Sequence, residues 1–268
     1  MTDKAKEYDE TFIPNVRFEL IPIKDLENNQ EYQRRISERH IERAAAHFDI
    51  YQINPVKVSR REGKNYVVNG QHTMEIVAKV SGSRDTPVWC MVYDDLIYQH
   101  EADIFANQQR FVKTLTTYEI FVANMQAGND KHLLINELVE SYDLKLGPLS
   151  APCVICGVSA LEYIYDKYSY EVLSRTLRIV VAAWEGNQQS LCSSLLKGMA
   201  KLLSTFETQI KDDILIEKLS NESVKEVIRN AKDRRGGPMG FAEAILLIYN
   251  KKMRNTISIE KLYGRTSS

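Results

Sequence analysis

Apolar and polar residues alternate from Val16 through Arg17, Phe18, Glu19, Leu20 and Ile21 until Pro22, a period of two that predicts a strand at a sheet edge or ending at one. The period then lengthens. Ile41, Ala44, Ala45 and Phe48 recur at helical spacing behind Ser37, a capping residue, and Asn54-Pro55 ends the connection that follows. Two strands come next, Pro55-Val56-Lys57-Val58-Ser59 and Tyr66-Val67-Val68, joined by a turn over Arg60 to Asn65 as a hairpin. Gly70 breaks the second strand, and Met74, Ile76, Val77, Ala78 and Val80 predict a helix that stops at Ser81-Gly82-Ser83. Thr86 to Tyr93 reads as the last strand of this unit.

Beyond residue 112 the strand pattern disappears. Thr116 with Glu119 three residues later forms a capping-box signature ahead of Ile120, Phe121, Ala123 and Met125, and Gly128-Asn129 ends that helix. A second helix is predicted from about His132 to Tyr142, and Gly147-Pro148 to Ala151-Pro152 is a loop. Ser159 with Glu162 predicts another capping-box helix. Further helices are predicted near 170–184, 188–208, 221–232 and 239–253, separated by Gly186-Asn187 and by Arg234-Arg235-Gly236-Gly237-Pro238. Their apolar stripes, such as Leu173, Leu177, Val180 and Val181, are core faces. The expected class is therefore α+β: an N-terminal extension over 1–15, a small mixed α/β domain over 16–112 and an all-α domain over 113–268.

Composition narrows the function classes. Residues 1–112 hold 15 Lys+Arg against 18 Asp+Glu, and the remainder 20 against 18, so any contact with nucleic acid comes from a local patch. The basic run Lys232-Asp233-Arg234-Arg235, continued by Lys251-Lys252-Met253-Arg254, is the best candidate for one, and a solvated helix end is the competing reading. The N-terminus lacks a signal-like apolar core, and no window approaches the ~18 apolar residues of a membrane span, so a cytoplasmic protein without membrane contact is expected. Of the cysteines Cys90, Cys153, Cys156 and Cys192, only Cys153-Val-Ile-Cys156 has suggestive spacing. It lacks the second ligand pair of a zinc site and the βαβ context of a thiol redox site, so no metal is expected there.

The segment with chemistry is Tyr66-Val67-Val68-Asn69-Gly70-Gln71-His72-Thr73, a strand that passes directly into a helix. Glycine permits the sharp turn, and the first helical N–H groups are left without intrahelical acceptors. Together with the positive end of the backbone dipole, they suit phosphate or carboxylate. Gln71 and His72 project from that first turn as donors, and a plain strand-turn-helix corner would present the same residues. Asn69 is placed to cap the helix, and Glu75, one turn on from Gln71, faces either the same pocket or solvent. The acidic cluster Asp94, Asp95, Glu101 and Asp103 is either a metal-ligand source or a solvated strand-end loop, and the loop reading is preferred.

Tyr32-Gln33-Arg34 with Ser37 and His40, the strand Pro55–Val58, and Tyr66 to His72 together resemble, in order and spacing, the ParB/sulfiredoxin superfamily, and more narrowly the ParB N-terminal-like domains whose second box reads roughly DGQHR. The resemblance covers about residues 16–112. It implies a nucleotide pocket at the glycine box, made from Asn69, Gly70, Gln71, His72 and Thr73, with Arg34 of the first box as a phosphate contact and CTP or ATP with magnesium as the cofactor. Members of the superfamily clamp DNA with CTP, repair an oxidised cysteine with ATP, phosphorylate free serine or act as nucleases, so the fold implies a pocket more than one reaction. This box departs from the pattern in two places, with Asn69 for the usual acid and Thr73 for the usual arginine. The expected function is a DNA-associated protein with a nucleotide- or phosphate-binding module and a possible homodimer. The alternatives are a phosphoryl-transfer enzyme such as a small-molecule kinase, or a nuclease, with His72 and Glu75 as catalytic candidates, and a non-catalytic assembly protein of a phage or mobile element.

Overall fold

Five segments of the N-terminal half form strands: β1 (Val16–Pro22), β2 (Leu26–Asn28), β3 (Val56–Arg61), β4 (Lys64–Asn69) and β5 (Pro87–Tyr93). In the computed structural model, which describes residues 15–28, 32–33, 35–94, 96–108, 110 and 112–264, they make one mixed sheet in the order β1-β5-β3-β4-β2. β1 runs antiparallel to β5 and β3 antiparallel to β4, whereas β3–β5 and β2–β4 are parallel pairs. The chain divides into two compact units, Met1–Lys113 and Thr114–Ser268.

The β3–β4 hairpin is tighter than its sequence predicts. Arg60, Arg61, Lys64 and Asn65 all lie in the strands, and the turn is only Glu62-Gly63, whose φ values of 54° and 73° are those of the primed turns that match strand twist. Helices α1 (Glu38–Ala46) and α2 (Gln71–Ser81) pack against one another, and Met74 and Val77 of α2 cover a core of Ile21, Ile23, Val56, Val58, Val67, Val88, Cys90 and Val92. Ser37 caps α1 as expected, its Oγ accepting the His40 N–H at 3.4 Å.

Two elements of this unit depart from the sequence reading. β2 is too short to show a period. Residues 98–107 form a helix, α3 (Tyr98–Asn107), where a strand-end loop was expected. Its inward position is taken by Glu101, fully buried, so the residue that marks the helix's inner face is a carboxylate and the apolar pattern is broken there.

The second unit contains α4 (Thr117–Gln126), α5 (Asp130–Glu140), α6 (Val158–Lys167), α7 (Tyr170–Trp184), α8 (Ser193–Thr205), α9 (Asp212–Ser220), α10 (Val224–Arg234) and α11 (Gly237–Asn250). Thr116 and Glu119 form the full capping box. The second predicted box does not form: Ser159 lies inside α6, the cap is Gly157, and Glu162 instead meets the buried His132 at 3.1 Å. The predicted 188–208 helix starts only at Ser193, and α9, with its apolar pair Leu215 and Leu219, occupies a stretch assigned no element. Arg175 of α7 fixes α9 by gripping Asp212 at 2.6 and 2.9 Å. The loop over 147–152 is flanked by two short paired strands, β6 (Lys145–Leu146) and β7 (Val154–Ile155). The architecture is thus α+β, with the sheet confined to the first unit apart from that pair.

Candidate functional site

Gly70 stands between β4 and α2 with φ +103°, a left-handed backbone that an L side chain rarely adopts. A Cβ there would also lie 3.2 Å from the Val56 Cα on the neighbouring strand. Gly70, and not Asn69, is the N-cap, and a glycine brings no side chain of its own to cap α2; Asn69 is the exposed last residue of β4. The Gly70 C=O accepts the Met74 N–H at 2.9 Å, one full turn into α2.

Beside this turn is a cavity of about 110 Å³ lined by Gln33, Val68, Asn69, Gly70, Gln71, His72, Thr73 and Phe105. The structure therefore brings together all five residues of the glycine box. Arg34 lies outside the described residues, as does Asp95. Glu75 does not line the cavity; it lies in the groove between α1 and α2 and pairs with Arg84 at 2.8 Å. Glu101 is likewise committed elsewhere, to Arg61 at 2.6 Å. Among the described residues the lining thus presents amides, an imidazole and a hydroxyl to a ligand, and no carboxylate for a magnesium ion.

His72 ties the first turns of two helices together. Its Nε2 accepts the Ser37 N–H at 3.3 Å, and its ring meets the His40 ring edge-to-face at 5.4 Å. With Nε2 accepting, the neutral ring carries its proton on Nδ1.

The first polar box is held by Glu101, read from sequence as part of an acidic loop cluster, and by Tyr98 and Phe105, which sequence reasoning did not single out. Tyr32 donates its hydroxyl to Glu101 Oε2 at 3.4 Å and packs its ring edge-to-face with Tyr98 at 5.8 Å. Burial, then the Glu101 charge, pushes the Tyr32 hydroxyl up to about 12. Gln33 donates its Nε2 to the Val67 C=O, while its buried Oε1 meets no hydrogen-bond donor among the described residues. Phe105 closes the cavity from α3. A second cavity of about 160 Å³, lined by Lys57, Val68, Tyr93, Leu96 and Ile104, shares the Val68 wall. The aromatic and apolar residues at Tyr98, Ile104 and Phe105 were the available signal for α3, obscured by Glu101 among them.

In the helical unit the four basic residues named from sequence do not meet. Arg234 and Arg235 sit where α10 ends, before α11; Lys251 and Lys252 follow the last residue of α11. A 14-residue helix is about 21 Å long, which separates the two pairs by that distance. Lys251 is moreover paired with Glu222 at 2.9 Å, and the Arg235 guanidinium lies 5.5 Å from the Tyr263 ring centre. Cys153 and Cys156 are exposed thiols, and no group of three metal-ligating side chains occurs among the described residues. No helix among those residues is long and apolar enough to cross a membrane.

Residues 28–260 match the model of a family described as "Family of unknown function (DUF6551)". No curated protein matches the chain. Among solved structures, it is similar to the C-terminally truncated chromosome-partitioning protein ParB from Caulobacter crescentus complexed with CTP-gamma-S, at 14% identity over 76% of this chain and 98% of that one, with a TM-score of 0.36. The same protein complexed to the centromeric parS site aligns at 17% identity over 78% and 95% of the two chains, with a TM-score of 0.28.

Proposed function

The chain belongs to the DUF6551 family of unknown function, and we propose that this member binds the phosphate end of a nucleotide at the Asn69–Thr73 turn and acts as a DNA-associated protein. The observation that carries the reading is that the N-terminus of α2 opens on a polar cavity lined by Asn69 to Thr73, with a left-handed glycine at the cap that keeps a Cβ out of the way. Backbone donors at a helix start and the amide and imidazole side chains beside them recognise oxygen anions. The sequence resemblance of the same box to ParB N-terminal-like modules points the same way.

Size sharpens the claim. Small-molecule pockets enclose roughly 300–1,000 Å³, and a cavity of about 110 Å³ takes a phosphoryl group and not a whole nucleotide. The nucleoside then lies outside it, and the neighbouring, more apolar cavity across Val68 is the place for a base. Phosphoryl transfer or nuclease chemistry calls for a general base or metal ligand at the phosphate; Glu75 and Glu101 both face other cations, and the accepting Nε2 of His72 already takes the Ser37 N–H. Binding without turnover is therefore the reading we favour, with any magnesium held through the phosphates and water.

A thermal-shift series with CTP, ATP, ADP and GTP, with and without magnesium, tests this. At least one nucleotide should raise the midpoint in proportion to the logarithm of its concentration, and His72→Ala should weaken the response about tenfold in concentration. No response to any of the four would remove the nucleotide reading.

A further inference from the structure

β1 is an edge strand whose open face is apolar. Phe18 and Leu20 are 57% and 53% exposed, and register places Leu20 beside Trp89 of β5, itself 56% exposed, and Phe18 beside Met91. Large apolar side chains gathered on one face of an edge strand are what natural sheets normally avoid.

The backbone of this edge is also available. The Ile23 N–H donates to the Thr86 C=O at 3.1 Å, which makes that opposed pair a hydrogen-bonded one. Counting back by twos, Ile21, Glu19 and Arg17 direct their polar backbone groups at β5, while Leu20, Phe18 and Val16 direct theirs outward. Among the described residues β1 has no second partner strand. Pro22, which has no N–H, ends the usable edge.

We propose that this edge pairs with the β1 edge of a second copy of the chain, antiparallel and centred on Phe18. The register follows from charge and backbone together. With Phe18 opposite Phe18, Arg17 of each copy faces Glu19 of the other, so no like charges are opposed and the Glu19–Arg60 and Arg17–Asp94 pairs within each copy are extended across the seam. Val16 then faces Leu20, and every outward N–H and C=O of Val16, Phe18 and Leu20 finds a partner. A shift of one residue in the pairing sum sets Arg17 opposite Phe18 and discards both matches. On the opposite face Phe18 and Leu20 of one copy pack across the seam against those of the other, flanked by Trp89 and Met91, which removes part of their exposed apolar area from water. This inference is independent of the nucleotide reading.

Sedimentation of the full chain at micromolar concentration tests it. A dimer is expected, and Leu20→Lys, at an exposed position the fold tolerates, should raise its dissociation constant at least tenfold. Opposed Cα atoms in a hydrogen-bonded antiparallel pair lie about 5.5 Å apart, within disulfide range. Phe18→Cys, in a chain with Cys153, Cys156 and Cys192 replaced by serine, should therefore cross-link to itself under mild oxidation. That readout does not depend on Leu20→Lys folding. A monomer throughout, a dimer indifferent to Leu20→Lys, or a Phe18→Cys chain that fails to cross-link would overturn the proposal. So would a full chain that stays monomeric while the chain lacking residues 1–14 dimerises, which would assign the face to that segment.

Discussion

Gly70 carries two constraints at once: its φ of +103° and the 3.2 Å approach its missing Cβ would make to the Val56 backbone. Gly70→Ala should cost about 1–3 kcal/mol through the strained backbone alone. Because the same backbone aims the first N–H groups of α2, the variant should also lose its nucleotide-dependent stabilisation; denaturant melts with and without CTP separate the two effects. The need for a glycine was readable in the chain, since a strand cannot pass directly into a helix there without one. The capping role was not. Asn69 is a capping residue type, but it completes β4 by pairing with Lys57, and that commitment depends on a strand far from it in sequence.

At the scale of elements, α3 decides how the first polar box sits. Glu101 is fully buried and held by Arg61, whose guanidinium also stacks 4.1 Å over the Tyr66 ring. Arg61→Ala leaves that carboxylate buried without its cation and should cost about 3 kcal/mol. Glu101→Gln keeps an acceptor for Arg61 and should cost only about 1 kcal/mol, as urea titrations of the two variants would show. Tyr32 adds a pH signature. Its folded pKa, about 12, lies above the ordinary 10, so its contribution is complete below pH 10 and is lost as pH rises toward 12. Tyr32→Phe should flatten the fall in stability over that window. This clamp explains why α3 escaped the apolar pattern: periodicity marks an inner face only when that face is apolar, and here an ion pair does the packing. The capping box of α4 was legible for the opposite reason, since all of its contacts lie within one turn of chain. Ser159 and Glu162 show the limit of that signal, because the carboxylate is claimed by His132 of another helix.

For the whole molecule, a net charge of −1 supplies no general attraction to nucleic acid, so any DNA contact is local. Arg234 and Arg235 are the better of the two basic pairs, since Lys251 is already neutralised by Glu222. In gel shifts on duplex DNA, replacing both arginines with alanine should weaken binding and lower the salt slope by about 2, whereas replacing both lysines should change it little. No binding at low salt would remove the DNA reading. That the basic pairs stand at opposite ends of α11 was legible in the sequence, since the helix predicted over 239–253 runs between them; the pairing of Lys251 with Glu222, 29 residues away, was not.

The central claim is that an oxygen anion docks on the first turn of α2, and amide NMR during a CTP titration tests it most directly. Saturable shifts concentrated at Gly70, Gln71, His72 and Thr73, and reproduced in part by inorganic pyrophosphate, are the predicted result. Shifts elsewhere with these four amides unmoved, or no shifts at all, would contradict it.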